Sequence, residues 1–234
     1  MFSKFLRLIY PDRCVICDKI CRDDEFPVCP ACREKIVLCE EVRTCKKCGR
    51  PVEEDKILCA NCQVHPHEFF LGISCAVYEK ELRQSVLRYK FGQRFYYHRG
   101  YAALLIRRIQ NFGMFPRPDA VISVPLSKKR LQERGFDQAA LIAKKVAKEL
   151  KLPYVSKLLI KKKDTPKQST LGRAERMRNV KHAFAVASGC DVRGKTLLLI
   201  DDIYTTGATA DAASAVLNKA GAAMVLIATV AITR

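Results

Sequence analysis

Two groups of residues in this chain are spaced for chemistry. The first is a set of four Cys-x-x-Cys knuckles: Cys14-Val-Ile-Cys17, Cys29-Pro-Ala-Cys32, Cys45-Lys-Lys-Cys48 and Cys59-Ala-Asn-Cys62. Each knuckle lets two thiolates reach one metal ion from a tight turn, and a second knuckle completes a tetrahedron. Four thiolates suit Zn²⁺, with iron the rarer choice. Redox dithiols fit poorly, because the four copies lie outside any βαβ context. Two structural Zn²⁺ are therefore expected. Sequential pairing puts Cys14, Cys17, Cys29 and Cys32 on one ion and Cys45, Cys48, Cys59 and Cys62 on the other. An interleaved cross-brace satisfies the same spacing. Cys21 and Cys39 have no partner at knuckle spacing, Cys75 and Cys190 read as buried small hydrophobes, and His65 and His67 read as a solvated linker.

The second group is one loop. Leu197-Leu-Leu-Ile200 runs into Asp201-Asp202-Ile203-Tyr204-Thr205-Thr206-Gly207-Ala208-Thr209, and a helical pattern follows. A buried parallel strand ends where ligands bind in α/β sheets. The helix after it offers free N–H groups and its positive dipole end to an anion. Gly207 permits close backbone approach, and Thr205, Thr206 and Thr209 add hydroxyl donors. Asp201 and Asp202 can accept from vicinal sugar hydroxyls or hold Mg²⁺ through water. A cradle preceded by two acids suits a ribose 5-phosphate. The loop has neither P-loop spacing nor a dinucleotide fingerprint.

These groups sit in segments of different composition. Of the 12 cysteines among 234 residues, ten precede residue 63. Residues 1–66 hold 12 Lys/Arg and 11 Asp/Glu, so nearly all of the net charge of +18 lies in residues 67–234. Two Cys₄ zinc sites would bring the chain to about +14. A 66-residue cysteine-rich segment has too little apolar material for its own core and needs a metal staple. The boundary falls at His65-Pro66-His67, giving domains 1–66 and 67–234. The second reads as strand Phe69–Tyr78, helices Glu81–Tyr89 and Tyr101–Asn111, strand Ala120–Val124, helix Gln138–Leu150, strand Val155–Ile160, strand Thr196–Ile200, helix Ala210–Ala220 and strand Ala223–Ala231. That order implies an α/β fold, a mostly parallel sheet with helices on both faces. No apolar run approaches the roughly 20 residues of a membrane span. Lys4 and Arg7 interrupt the apolar start, so no signal peptide is expected and the cytoplasm is the default compartment.

The stretch Ile200–Thr209 resembles the PRPP-binding motif of type I phosphoribosyltransferases. Val124-Pro125-Leu126, Arg130 and Arg134-Gly135-Phe136-Asp137-Gln138 are similar to ComF-type competence proteins. So is the stretch carrying Thr165, Gln168, Leu171, Arg176, Asn179-Val180 and Ala183-Phe184. The knuckles match that family's N-terminal double zinc ribbon. Asp137 replaces the usual Asn, and Gln93 stands where an acid often follows Lys-Tyr/Phe-x-Gly. The resemblance implies a type I phosphoribosyltransferase-like domain that binds PRPP with Mg²⁺. It makes Asp201, Asp202 and Thr205 to Thr209 the sugar-phosphate site. Pro125, Arg130, Arg134 and Gly135 fall in the pyrophosphate loop, with Lys128 and Lys129 as further cations. Residues 161–182 form the hood, with Gln168, Arg176 and Asn179 as its contacts.

By family, such proteins serve DNA uptake in natural transformation, handling single-stranded DNA beside other uptake-machinery proteins. Lys128-Lys129-Arg130, Lys144-Lys145 and Lys161-Lys162-Lys163 could meet phosphates, with Tyr89, Phe91, Phe95, Tyr96 and Tyr97 to stack bases. Two functions are thus expected: a PRPP-binding protein of DNA uptake, or an active transferase moving ribose 5-phosphate to a nucleobase-like acceptor.

Overall fold

The computed structural model describes residues 11–21, 27–162 and 183–234. Four strands form a parallel sheet: β1 (Leu71–Val77), β2 (Ala120–Ser123), β5 (Thr196–Tyr204) and β6 (Met224–Ile232), in the order β1-β6-β5-β2. A second, antiparallel pair joins β3 (Leu159–Lys161) to β4 (Phe184–Val186). The central strands are apolar because both their faces are covered. On one face, Leu198, Ile200, Leu226 and Ala228 pack with α4 (Tyr97–Gln110) and α6 (Gln138–Leu150). On the other, Leu197, Leu199, Val225 and Ile227 pack with Ala213 and Leu217 of α7 (Ala208–Lys219).

The cysteine-rich segment carries only two short helices, α1 (Pro30–Arg33) and α2 (Ala60–Val64). It straddles the β1 edge. Val15, Ile16 and Leu38 join the core of the α4/α6 face, whereas Cys45, Cys48 and Cys59 join the core of the α7 face. Edge strands expose a row of unpaired backbone groups, and here the ribbon takes them. Leu38 bridges Ala76, Cys39 N donates to Cys75 O at 2.8 Å, and Gly72 N donates to Lys47 O at 2.7 Å. Gly49 has φ +75°, and a Cβ there would meet Gly72 O at 2.8 Å, so only glycine lets the knuckle sit down on β1.

Three sequence expectations are corrected. The strand expected over 155–160 is confined to Leu159–Lys161, because Val155 instead hydrogen-bonds back to Val121. The strand expected to stop at Ile200 runs on to Tyr204, because Asp201, Ile203 and Tyr204 remain paired with Thr229, Ala231 and Ile232 of β6. His67 is no solvated linker: its side chain is 2% exposed and bonded to Asp211. His65 is exposed, and Cys75 is buried, as read, but Cys190 is only half-buried.

Candidate functional site

The eight knuckle cysteines gather into two groups, Cys14/Cys17/Cys29/Cys32 and Cys45/Cys48/Cys59/Cys62, with all Sγ atoms of a group within 4.8 Å of one another. This is the sequential arrangement. Zn–S bonds of about 2.3 Å in a tetrahedron require sulfurs about 3.8 Å apart. Cys17 and Cys29 stand at 3.8 Å, Cys48 and Cys59 at 3.7 Å, and Cys59 and Cys62 at 3.5 Å. Zinc therefore fits both groups. The thiols are also crowded enough to perturb one another. Hydrogen bonding from Cys48 holds the Cys45 thiol far below its ordinary range, and the same contact pushes Cys48 up to about 12. Such a crowd ionises together only around a metal.

The loop after β5 opens on a cavity of about 470 Å³. Asp201, Asp202, Thr205, Gly207 and Thr209 line it. Pro125, Arg130 and Arg134 line it as well, with Lys90 and Phe91 from α3 (Lys80–Phe91) and Lys161 from β3. Gly207 caps α7 with φ +86°, and a Cβ there would collide with the Tyr204 hydroxyl and come within 3.0 Å of His67 Cε1. Glycine therefore sets both the turn and its packing. Thr206 Oγ1 accepts from Ala208 N at 3.4 Å. Neither Thr206 nor Ala208 contributes to the cavity lining, and neither does Gly135.

Asp202 pairs with Lys90, Oδ1 to Nζ 2.9 Å. Burial, then the charge of Asp202, pushes the Asp201 carboxyl up to about 7. Arg134 donates to Gln138 Oε1 at 2.7 Å, and its guanidinium lies 5.1 Å from the Phe91 ring centroid. Asp137, where the family pattern has Asn, caps α6 by accepting from Ala140 N at 2.9 Å. It also accepts from Leu126 N at 3.4 Å, tying the loop after β2 to α6. The two contacts use different carboxylate oxygens, Oδ1 and Oδ2, so the single oxygen of an Asn would keep only one of them.

Lys128 and Lys129 project from α5 (Lys128–Arg134) as exposed side chains outside the cavity. Lys162 and Lys144 are exposed as well, and Lys145 pairs with Glu149. Lys163, Thr165, Gln168, Leu171, Arg176, Asn179 and Val180 lie outside the described residues. Tyr89 and Tyr97 cannot stack bases. Both are core side chains, Tyr89 donating from its hydroxyl to Gln138 O at 2.9 Å. Phe91 and Phe95 are exposed.

Three residues at this site escaped the sequence reading. Lys90 lies in no motif that assigns it a role. His67 Nδ1 lies 2.8 Å from Asp211 Oδ2 in the first turn of α7, and Glu68 N donates to the same carboxylate. Arg50 donates from Nη2 to Thr205 O at 2.5 Å. Neither lies at a spacing that marks it in sequence.

Residues 5–63 match the double zinc ribbon domain, and residues 137–234 match the phosphoribosyl transferase domain. The chain is 28% identical over 224 residues to the DNA utilization protein YhgH of Salmonella typhi, covering 94% of this chain and 96% of that one. It is 28% identical over 213 residues to competence protein F of Haemophilus influenzae, covering 89% and 92%. Among solved structures it is similar to a glutamine PRPP amidotransferase from B. subtilis, at 21% identity and a TM-score of 0.41, covering 61% of this chain and 30% of that one. The chain thus joins a double zinc ribbon to a phosphoribosyltransferase domain, with homologues among competence and DNA utilization proteins.

Proposed function

We propose that this double-zinc-ribbon phosphoribosyltransferase-domain protein binds PRPP and acts in the handling of incoming single-stranded DNA in the cytoplasm. Residues 1–66 are the ribbon module and residues 67–234 the PRPP-binding module. The observation that carries the reading is the joint opening of Asp201, Asp202 and the Gly207-capped start of α7 on one cavity faced by Arg130 and Arg134. The helix N-terminus takes the 5-phosphate, the carboxylates take the ribose hydroxyls, and the arginines face the pyrophosphate. Magnesium enters on the ligand's phosphates, since Mg²⁺ favours one or two carboxylates plus substrate phosphates over an all-protein cage. The donor set fits this, because Lys90 already holds Asp202. No helix among the described residues is long and apolar enough to cross a membrane. The DNA role rests on the names of the relatives, on the net charge of +18 and on the exposed Lys128 and Lys129.

Calorimetry with PRPP and Mg²⁺ tests the binding claim. The Asp201→Asn/Asp202→Asn variant is expected to lose roughly 10–100-fold in affinity, the scale of a few lost charged hydrogen bonds. Equal affinity in a folded double variant would falsify the assignment. Pyrophosphate release on addition of a base acceptor would identify an active transferase instead.

A further inference from the structure

The zinc ribbon reaches the back of the loop that forms one wall of the cavity. Arg50 follows the third knuckle of that module, Cys45–Cys48, by two residues. Its backbone carbonyl accepts from Cys45 N at 2.7 Å, which ties Arg50 to the cysteine turn. Its side chain crosses to the other module. Nη2 donates to Thr205 O at 2.5 Å, and Nη1 lies 3.5 Å from Thr233 Oγ1. Thr233 Oγ1 donates to the same Thr205 carbonyl at 3.3 Å, and Thr233 N donates to Tyr204 O at 3.0 Å. Arg50 Nε is buried without a partner. A guanidinium tolerates such a place only where its other donors are well used.

A trans peptide points its C=O and the following N–H in opposite directions. Holding the Thr205 carbonyl toward the ribbon therefore turns the Thr206 N–H away from it. Thr205 and Gly207, on either side of Thr206, both line the cavity. We propose that Arg50 is a positioning residue that presets the Thr205–Thr206 peptide for an anion, so that the zinc ribbon is part of the sugar-phosphate site. This rests on the PRPP reading of that site. Arg50 touches the loop and not the ligand. The cation behind the loop also adds a positive field where the phosphate arrives. The ribbon thereby does more than cover the β1 edge: it sets the shape of the wall that receives the anion.

The test uses full-length zinc-loaded protein and two readouts. One is amide hydrogen exchange in peptides covering residues 204–210, compared with strand residues 197–200. The other is PRPP affinity by calorimetry. Arg50→Met is expected to keep both zinc ions and normal exchange at 197–200. Its loop should exchange at least about ten times faster, and PRPP should bind about tenfold more weakly. Arg50→Lys, which can still donate once to Thr205 O, should recover most of the loop protection. Thr233→Val supplies an independent variant of the same carbonyl clamp, should Arg50→Met fold poorly, and should move both readouts in the same direction. A merely structural arginine would raise exchange throughout the sheet and gain nothing from lysine. Unchanged loop exchange in a folded Arg50→Met protein overturns the proposal. A wild type that binds no PRPP, with a loop still loosened by Arg50→Met, overturns the PRPP reading and leaves the positioning role standing.

Discussion

Lys90 Nζ stands 2.9 Å from Asp202 Oδ1, with each side chain only 13% exposed. The lysine comes from α3 and the aspartate from β5, so the pair spans two elements 112 residues apart in sequence. An internal ammonium thus balances one of two adjacent carboxylates. A sugar that hydrogen-bonds to Asp202 must share that oxygen with Lys90 or displace it. If displaced, Lys90 is free to meet the ligand's phosphates.

Breaking this pair from one side should destabilise the protein more than removing both partners. Lys90→Ala leaves Asp202 beside Asp201 without its paired ammonium, a loss of about 1–3 kcal/mol for a part-buried charged hydrogen bond. Lys90→Ala/Asp202→Asn should recover much of it. A urea double-mutant cycle on zinc-loaded protein measures the coupling. Additive losses in the two single variants would show that the pair carries no net interaction.

Asp201 links stability to pH. Its carboxyl is pushed up to about 7 by burial and by the Asp202 charge. A raised native value means that the folded protein holds a proton the unfolded chain has released. This contribution is therefore fully present below about pH 4 and is lost as pH rises through about 7. Asp201→Asn cannot titrate there. The unfolding midpoint of the wild type should fall relative to the variant between pH 5 and 8, and the gap should level off above that. A pH-independent gap would place the Asp201 carboxyl at an ordinary value. PRPP affinity in the wild type should rise over the same interval, because the carboxylate accepts sugar hydroxyls better than the acid does.

The sheet was legible where apolar period alone decides structure. Helix Gln138–Leu150 matches to the residue, since Ile142, Val146 and Leu150 mark one face. At β5 two aspartates end the apolar run at Ile200, whereas pairing with β6 carries the backbone on to Tyr204. The buried tyrosines were legible in principle. Leu82, Val86 and Tyr89 lie at helical spacing, as do Tyr97, Tyr101 and Leu105, and all six are core. That period, not the aromatic content, decides that Tyr89 and Tyr97 face the core. Arg50, His67 and Lys90 act through contacts between segments distant in sequence, and no local pattern encodes such contacts.

Zinc content will separate the two pairings chemically. The sulfur positions place Cys45 with Cys48, Cys59 and Cys62. Cys45→Ser should therefore lower the metal content from two zinc ions per chain to one and leave the Cys14 group loaded. Cys14→Ser should spare the second group in the same way. Elemental analysis combined with thiol protection mapped by mass spectrometry reads this directly. Exposure of cysteines from both groups after a single substitution would indicate an interleaved arrangement.

Single-stranded DNA binding should be separable from PRPP binding on one short helix. Lys128 and Lys129 are exposed on α5, whereas Arg130 and Arg134 of the same helix line the cavity. Backbone phosphates release condensed cations when lysines replace them. Log affinity for single strands therefore falls with log salt by about 0.7 per phosphate neutralised. Lys128→Glu/Lys129→Glu removes two contacts and adds repulsion. It should weaken DNA binding and flatten the salt slope by about 1.4 if both lysines meet phosphates. PRPP affinity should stay within about twofold, since neither side chain lines the cavity and exposed charges are strongly screened by salt. Fluorescence anisotropy with a labelled oligonucleotide across a salt series gives the slope, and calorimetry gives the PRPP affinity. An unchanged slope would move the DNA path away from α5, and a parallel loss of PRPP affinity would show that the two ligands share one site.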